Sequence, residues 1–102
     1  MAELKIHSEA RLDKWLWAAR IFKTRTIAAN ACKNNRIRKG NINLKPSSTV
    51  KIGDIISVKK PPVTYSFKIL NCIEQRVGAK LVAEVYENVT DAKQYELLEM
   101  SR

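Results

Sequence analysis

The apolar residues change period between Leu12 and Leu44, and that change limits the folds open to the chain. Leu12, Trp15, Leu16 and Ala19 recur at i, i+3, i+4 and i+7, one face of a short helix over residues 11–20. Thr24 then suits the N-cap of a second helix running to about Asn34. In it Ile27, Ala28 and Ala31 are expected to face inward, with Arg25, Ala29 and Lys33 at i, i+4, i+8 on the outer side. Asn34-Asn35 ends it, because Asn tolerates the left-handed conformation. Immediately afterwards Arg36-Ile37-Arg38-Lys39 and Ile42-Asn43-Leu44 flank Gly40-Asn41, a hairpin with a two-residue turn of positive φ. That register pairs Ile37 with Leu44 on one face and Arg38 with Asn43 on the other. Two amphipathic helices and a hairpin in so short a span must cover one another, which places the chain in the α+β class.

The remainder continues in strands. Lys45-Pro46-Ser47-Ser48 leaves the hairpin as an irregular connection, Val50–Asp54 turns, and Ile55–Val58 forms a further strand. Lys59-Lys60-Pro61-Pro62 reads as a bend between parts of one domain. Strands are expected at about 63–73 and 80–88, joined through Arg76-Val77-Gly78-Ala79. Thr90-Asp91 opens a last helix to about Met100, docked by Tyr95 and Leu98, with Glu96 and Glu99 in solvent. Trp17 lies off the stripe of the first helix. Its ring either packs on a neighbouring element or is open to a base or a basic side chain.

A length of 102 residues fits one domain, 1–102. The longest apolar run, Trp15–Ala19, is far short of the ~20 residues that span a membrane. The first ten residues have no apolar core of the signal-peptide kind. A cytoplasmic protein without membrane contact is the expectation.

Charge points to a class of partner. Residues 11–60 hold 13 Lys/Arg against only Asp13 and Asp54, a net +11, while the other residues hold 6 bases and 8 acids, a net −2. The whole excess of the +9 chain therefore lies in one contiguous half. Solubility is served by mixed charge, so segregation of this kind points to a polyanion, most often nucleic acid.

Other chemistry finds little support. Cys32 and Cys72 have no paired metal-ligand spacing and His7 is the only histidine, so neither a zinc site nor a nucleophile–histidine pair is read. The cysteines are expected to be small buried apolar residues in a reducing compartment. With 3 glycines there is no glycine-rich cofactor loop. No enzyme activity and no cofactor are expected.

Several motifs now stand in order: Arg11-Leu12-Asp13, Lys23-Thr24-Arg25 with Ala28, Ile37-Arg38, Lys45-Pro46-Ser47, and Val50-Lys51-x-Gly53-Asp54-x-Ile56-x-Val58. Together, over about residues 9–60, they closely resemble the RNA-binding domain first defined in ribosomal protein S-four, the alpha-L motif. The run Arg11–Arg20 is most similar to the small bacterial heat-shock proteins that carry this domain and bind the free large ribosomal subunit. The turn Gly40-Asn41 departs from the Asn-Gly usual in that family, as does an acidic last helix where the family continues into a basic tail. The resemblance implies a two-helix motif packed on a small, mainly antiparallel sheet, with residues 61–102 a strand-strand-helix extension completing the fold.

The resemblance also implies a function: binding structured RNA, expected to be ribosomal RNA of the large subunit, as a ribosome-associated stress or subunit-recycling factor. Peptidyl-tRNA or ribosomal proteins are further expected partners, and the chain is expected to be monomeric. The candidate RNA-binding residues are Arg11, Lys14, Lys23, Thr24, Arg25, Lys33, Arg36, Arg38 and Lys45, aided by free N–H groups at the two helix starts. Arg11, Lys23, Thr24, Arg25 and Lys45 occupy family contact positions. Asp13 reads as an orienting partner for an arginine or for the helix start. Charge alone also permits non-specific DNA or nucleoid binding, and the acidic end permits an adaptor that docks on ribosomal proteins.

Overall fold

The computed structural model describes residues 5–101. The first four residues of the stretch read for a targeting signal, and the terminal Arg102, lie outside it. Chain order is β1 (Glu9–Arg11), α1 (Leu12–Ala18), α2 (Arg25–Lys33), β2 (Ile37–Lys39), β3 (Ile42–Asn43), β4 (Thr49–Lys51), β5 (Ile55–Lys60), β6 (Val63–Ile69), a 3₁₀ turn (Ala79–Leu81), α3 (Val82–Val85), β7 (Tyr86–Asn88) and α4 (Ala92–Met100). The fold is α+β. One antiparallel sheet has strand order β3-β2-β5-β6-β7, and a two-stranded sheet pairs β1 with β4.

Helix α1 inserts its apolar stripe completely: Leu12, Trp15 and Leu16 have no exposed surface. Burying Trp15 requires a partner for its indole N–H, which donates to the Asn71 carbonyl at 2.9 Å, while the ring meets Tyr86 edge-on. Helix α2 contributes Ala28, Ala31 and Cys32, small residues that let it lie close to α1. The sheet side of the core is Ile37, Ile56, Val58, Phe67 and Ile69. Cys72 is buried as well, so both thiols behave as small apolar residues.

The hairpin register follows the alternation: Arg38 faces Asn43, and the Leu44 N–H donates to the Ile37 carbonyl. Of the turn pair, only Gly40 has positive φ, at 61°. That is the pattern with glycine at the first central position, and Asn41 needs no left-handed backbone. Asn35 does take it, at φ 58°, one residue beyond the α2 C-cap Asn34.

Three local expectations are corrected. Ile27 is 46% exposed, because the inward face of α2 is narrowed to the alanines and Cys32. Residues 80–85 are helical and only Tyr86–Asn88 pair as a strand, since Leu81, Val82 and Val85 reach the core from one side of a helical turn. Helix α4 buries none of its residues. It is held to β6 by Gln94 Oε1, which accepts the Thr64 N–H at 2.9 Å, and by Tyr95 edge-on to Tyr65. Lys59 and Lys60 end β5, and Pro61-Pro62 alone makes the tight connection to β6, with which β5 pairs along its whole length from Ile55–Lys68 to Lys60–Val63. No helix among the described residues is long and apolar enough to cross a membrane.

Candidate nucleic-acid interface

The start of α1 organises the basic face. Arg11 is its N-cap but offers no side-chain cap, so the first N–H groups of the helix need other acceptors. The connection after the hairpin supplies them. Ser48 O accepts the Leu12 N–H at 2.7 Å, and Pro46 O accepts the Asp13 N–H at 3.1 Å. Lys14 N–H donates to Asp13 Oδ1 at 2.8 Å. The connection is itself a tight turn, with Ser48 N–H on Lys45 O and Lys45 N–H on Ser48 Oγ. Lys45 is thereby fixed beside Arg11. The same bonds correct one expectation, because these N–H groups of α1 are already satisfied within the chain. At α2, Thr24 Oγ1 accepts the Ile27 N–H at 3.0 Å, which caps the helix and leaves the hydroxyl hydrogen able to donate.

Asp13 is only 4% exposed, a buried carboxylate within a cationic surface. Its Oδ1 also accepts Arg11 Nε–H at 2.8 Å, and its Oδ2 lies 3.7 Å from Arg25 Nη2. Desolvating a carboxylate is tolerable only with such partners. The result ties the starts of α1 and α2 together and leaves both guanidinium groups about half exposed. An arginine held through Nε still presents its outer fork for a phosphate.

Three open grooves carry the basic residues across the surface. The first, about 560 Å³, is lined by Arg11, Lys33, Asn35, Asn43, Lys45 and Ser47 among others. A second, about 170 Å³, is lined by Asn35, Arg36, Arg38, Ser57, Lys59 and Thr64. A third, about 460 Å³, shares Arg36 and Lys59 with the second and runs between α2 and the β5–β6 connection. Asn35 lines both the first and the second, so neighbouring grooves share residues around the end of α2. No carboxylate lines any of them.

The structure therefore gathers Arg11, Lys33 and Lys45 at one groove and Arg36 and Arg38 at the next, with Arg25 linked to Arg11 through Asp13. Arg38 is steadied by Asn43 Oδ1 at 2.9 Å. Lys14, half-buried, and the exposed Lys23 line none of the three. Sequence reasoning missed Asn35, Asn43 and Lys59. Asn35 had a legible signal in its place after the helix, but Lys59 reaches the site only through the pairing that sets its N–H on Arg36 O at 2.8 Å.

Other cations are structural. Lys60 Nζ donates to Ile21 O at 2.7 Å and sits 4.6 Å from the centre of the Phe22 ring, where desolvation pulls its pKa below the ordinary lysine value. Arg76 Nη1 donates to Trp17 O at 2.6 Å and Phe22 O at 3.1 Å, with its guanidinium over the half-buried Trp17 ring. Arg20, at φ 64°, reaches Val77 O. These three hold the α1–α2 connection. Lys39 is paired with Asp54 at 3.0 Å. Burial, then the nearby Asp13 carboxylate, pushes the Cys32 thiol up to about 11, which keeps it protonated at neutral pH. Among the described residues no His/Cys/Asp/Glu cluster could hold a metal ion.

With this geometry in view, the comparisons with known proteins are informative. The model of the S4 domain family matches residues 10–56. A heat shock protein 15 homolog of Haemophilus influenzae is 35% identical over 79 residues, 78% of this chain and 60% of its own. An RQC P-site tRNA stabilizing factor of Listeria innocua is 32% identical over 76 residues, 74% of this chain and 82% of its own. The trimeric structure of Vibrio cholerae heat shock protein 15 superposes with a TM-score of 0.76 at 34% identity, covering 91% of this chain and 92% of that one. The chain spans about three fifths of the length of the curated heat shock protein 15 relatives.

Proposed function

The chain belongs to the heat shock protein 15 family of S4-domain proteins, and from that premise we propose that it binds structured RNA on the ribosome without catalysis. The observation that carries this reading is the pair of neighbouring grooves that share Asn35, lined by Arg11, Lys33, Lys45, Arg36, Arg38 and Lys59 and by no carboxylate. An RNA duplex hides its base edges in a deep, narrow groove, so a protein engages it by shape, phosphates and 2′-hydroxyls. Arg11, Lys33 and Lys45 meet the phosphates at the first groove, Arg36 and Arg38 at the second, and Arg25 beside Arg11. Lys14, Lys23 and Thr24 act at the margin. Asp13 orients the two arginines and does not act as an acid.

In this reading the target is ribosomal RNA of the large subunit, and the role is that of a cytoplasmic stress or subunit-recycling factor. The name of the Listeria relative refers to P-site tRNA, which supports placing peptidyl-tRNA, and with it ribosomal proteins, among the neighbours. Residues 9–60 supply the binding motif of a single domain, and 61–102 complete its fold. In this reading it acts as one copy; light scattering at the mass of a single chain supports this, and the mass of a trimer, the state of the Vibrio structure, overturns it.

Co-sedimentation with purified large subunits tests the reading. The wild-type chain pellets with them, and a folded variant carrying Arg11→Ala, Lys33→Ala and Lys45→Ala stays in the supernatant. Equal pelleting of both removes the proposed face.

A further inference from the structure

The third groove has a chemistry that phosphate contact does not explain. Its helix wall is the α2 stripe Ile27, Asn30 and Asn34, and its opposite wall is Arg36, Lys59 and Pro61. Ile27 and Pro61 are apolar and exposed, Asn30 and Asn34 each carry an amide donor and acceptor, and Arg36 and Lys59 are exposed cations. A stretch of duplex backbone uses cations, and amides through phosphate or 2′-hydroxyl contacts, but has no use for the exposed apolar Ile27 and Pro61. An unpaired nucleotide uses all three: the base face lies on apolar surface or a guanidinium plane, its edge is hydrogen-bonded, and its phosphate meets the cations. The volume of about 460 Å³ falls within the range of small-ligand sites, roughly 300–1,000 Å³.

The geometry points to this groove as a receptor for an unpaired ribonucleotide that continues from the duplex held on the first two grooves. Adjacency supports that order, because Arg36 and Lys59 line both the second and third grooves and their backbones are joined by the Lys59 N–H···O Arg36 bond. The neighbouring Lys60 ammonium is turned to Ile21 O, so it braces the groove's end. The inference rests on the RNA-binding reading and adds a second kind of RNA element to it.

The experiment titrates the full chain with a short blunt two-stranded RNA duplex, the same duplex with a few unpaired nucleotides extending one strand, and the same extension made abasic. The expected gain from the unpaired bases is roughly tenfold in affinity, with little gain from the abasic strand. Ile27→Ser with Asn30→Ala changes two exposed side chains outside the cationic set; it abolishes the gain and leaves blunt-duplex affinity unchanged. Blunt-duplex binding with no gain, an equal gain from the abasic strand, or a gain that survives the double substitution each overturns the inference and leaves the RNA-binding reading intact. Absence of binding to every duplex overturns both.

Discussion

Arg11 and Asp13 are bound side chain to side chain, Nε–H to Oδ1 at 2.8 Å, with the carboxylate 6% exposed and the guanidinium 48% exposed. A buried acid thus fixes the direction of a cation that faces solvent. The two roles of charge here oppose each other, so they are separable. If Asp13 mattered only as a negative charge in a basic face, Asp13→Asn would strengthen RNA binding. As the anchor for Arg11 and Arg25, it weakens binding about tenfold, the size of one lost charge-assisted hydrogen bond. Affinity measured at one fixed salt concentration, with folding checked by circular dichroism, reads the sign.

Salt dependence reports the phosphate contacts themselves. Each cation that neutralises a phosphate contributes about 0.7–0.9 to the slope of log affinity against log salt. Arg11→Ala and Arg25→Ala each flatten the slope by about that amount. A series of titrations from low to moderate salt that gives parallel lines for both variants and wild type contradicts the assignment.

Arg76 belongs to the fold. It lies beyond the basic half, yet its Nη1 holds the Trp17 and Phe22 carbonyls at the end of α1. Arg76→Ala lowers stability by about 1–3 kcal/mol and leaves the salt slope of RNA binding unchanged. Denaturant unfolding beside the binding series checks both halves of that statement.

The Cys32 thiol predicts a pH window. In the unfolded chain a thiol ionises at its ordinary pKa, near 8.5–9. In the folded chain burial holds the proton to about 11. Between those values the folded state binds more protons, so stability falls as pH rises through the window, by about 1.4 kcal/mol per unit at most. Below it the contribution is fully present. The difference in unfolding free energy between wild type and Cys32→Ala therefore declines across the window. A difference that stays level contradicts the burial.

Local signals in the sequence were sufficient for the elements closest to the site. The Leu12/Trp15/Leu16 stripe, the Thr24 cap and the alternation around Gly40 each act within a few residues, and each appears where the pattern puts it. Both cysteines are buried as their type suggested. Signals failed where tertiary packing decided. Ile27 has helical spacing but loses its place inside to alanines that allow closer helix contact. Val82 and Val85 look like strand residues, yet reach the core from a helical turn. Of the site, the cations were legible one by one. Their division was not: which line the grooves, which pair with Asp13 or Asp54, and which clamp the α1–α2 connection depends on contacts far apart in sequence, such as Lys60 on Ile21 O and Lys59 on Arg36.

The central claim is that the basic grooves engage RNA, and that charge alone does not explain the binding. A competition titration of the full chain between a folded RNA and duplex DNA of equal length and charge, at matched salt, tests it most directly. The account predicts that RNA displaces DNA and that the preference collapses in the Arg11→Ala, Lys33→Ala, Lys45→Ala variant. Equal affinity for the two polymers, or a preference for DNA, would contradict it.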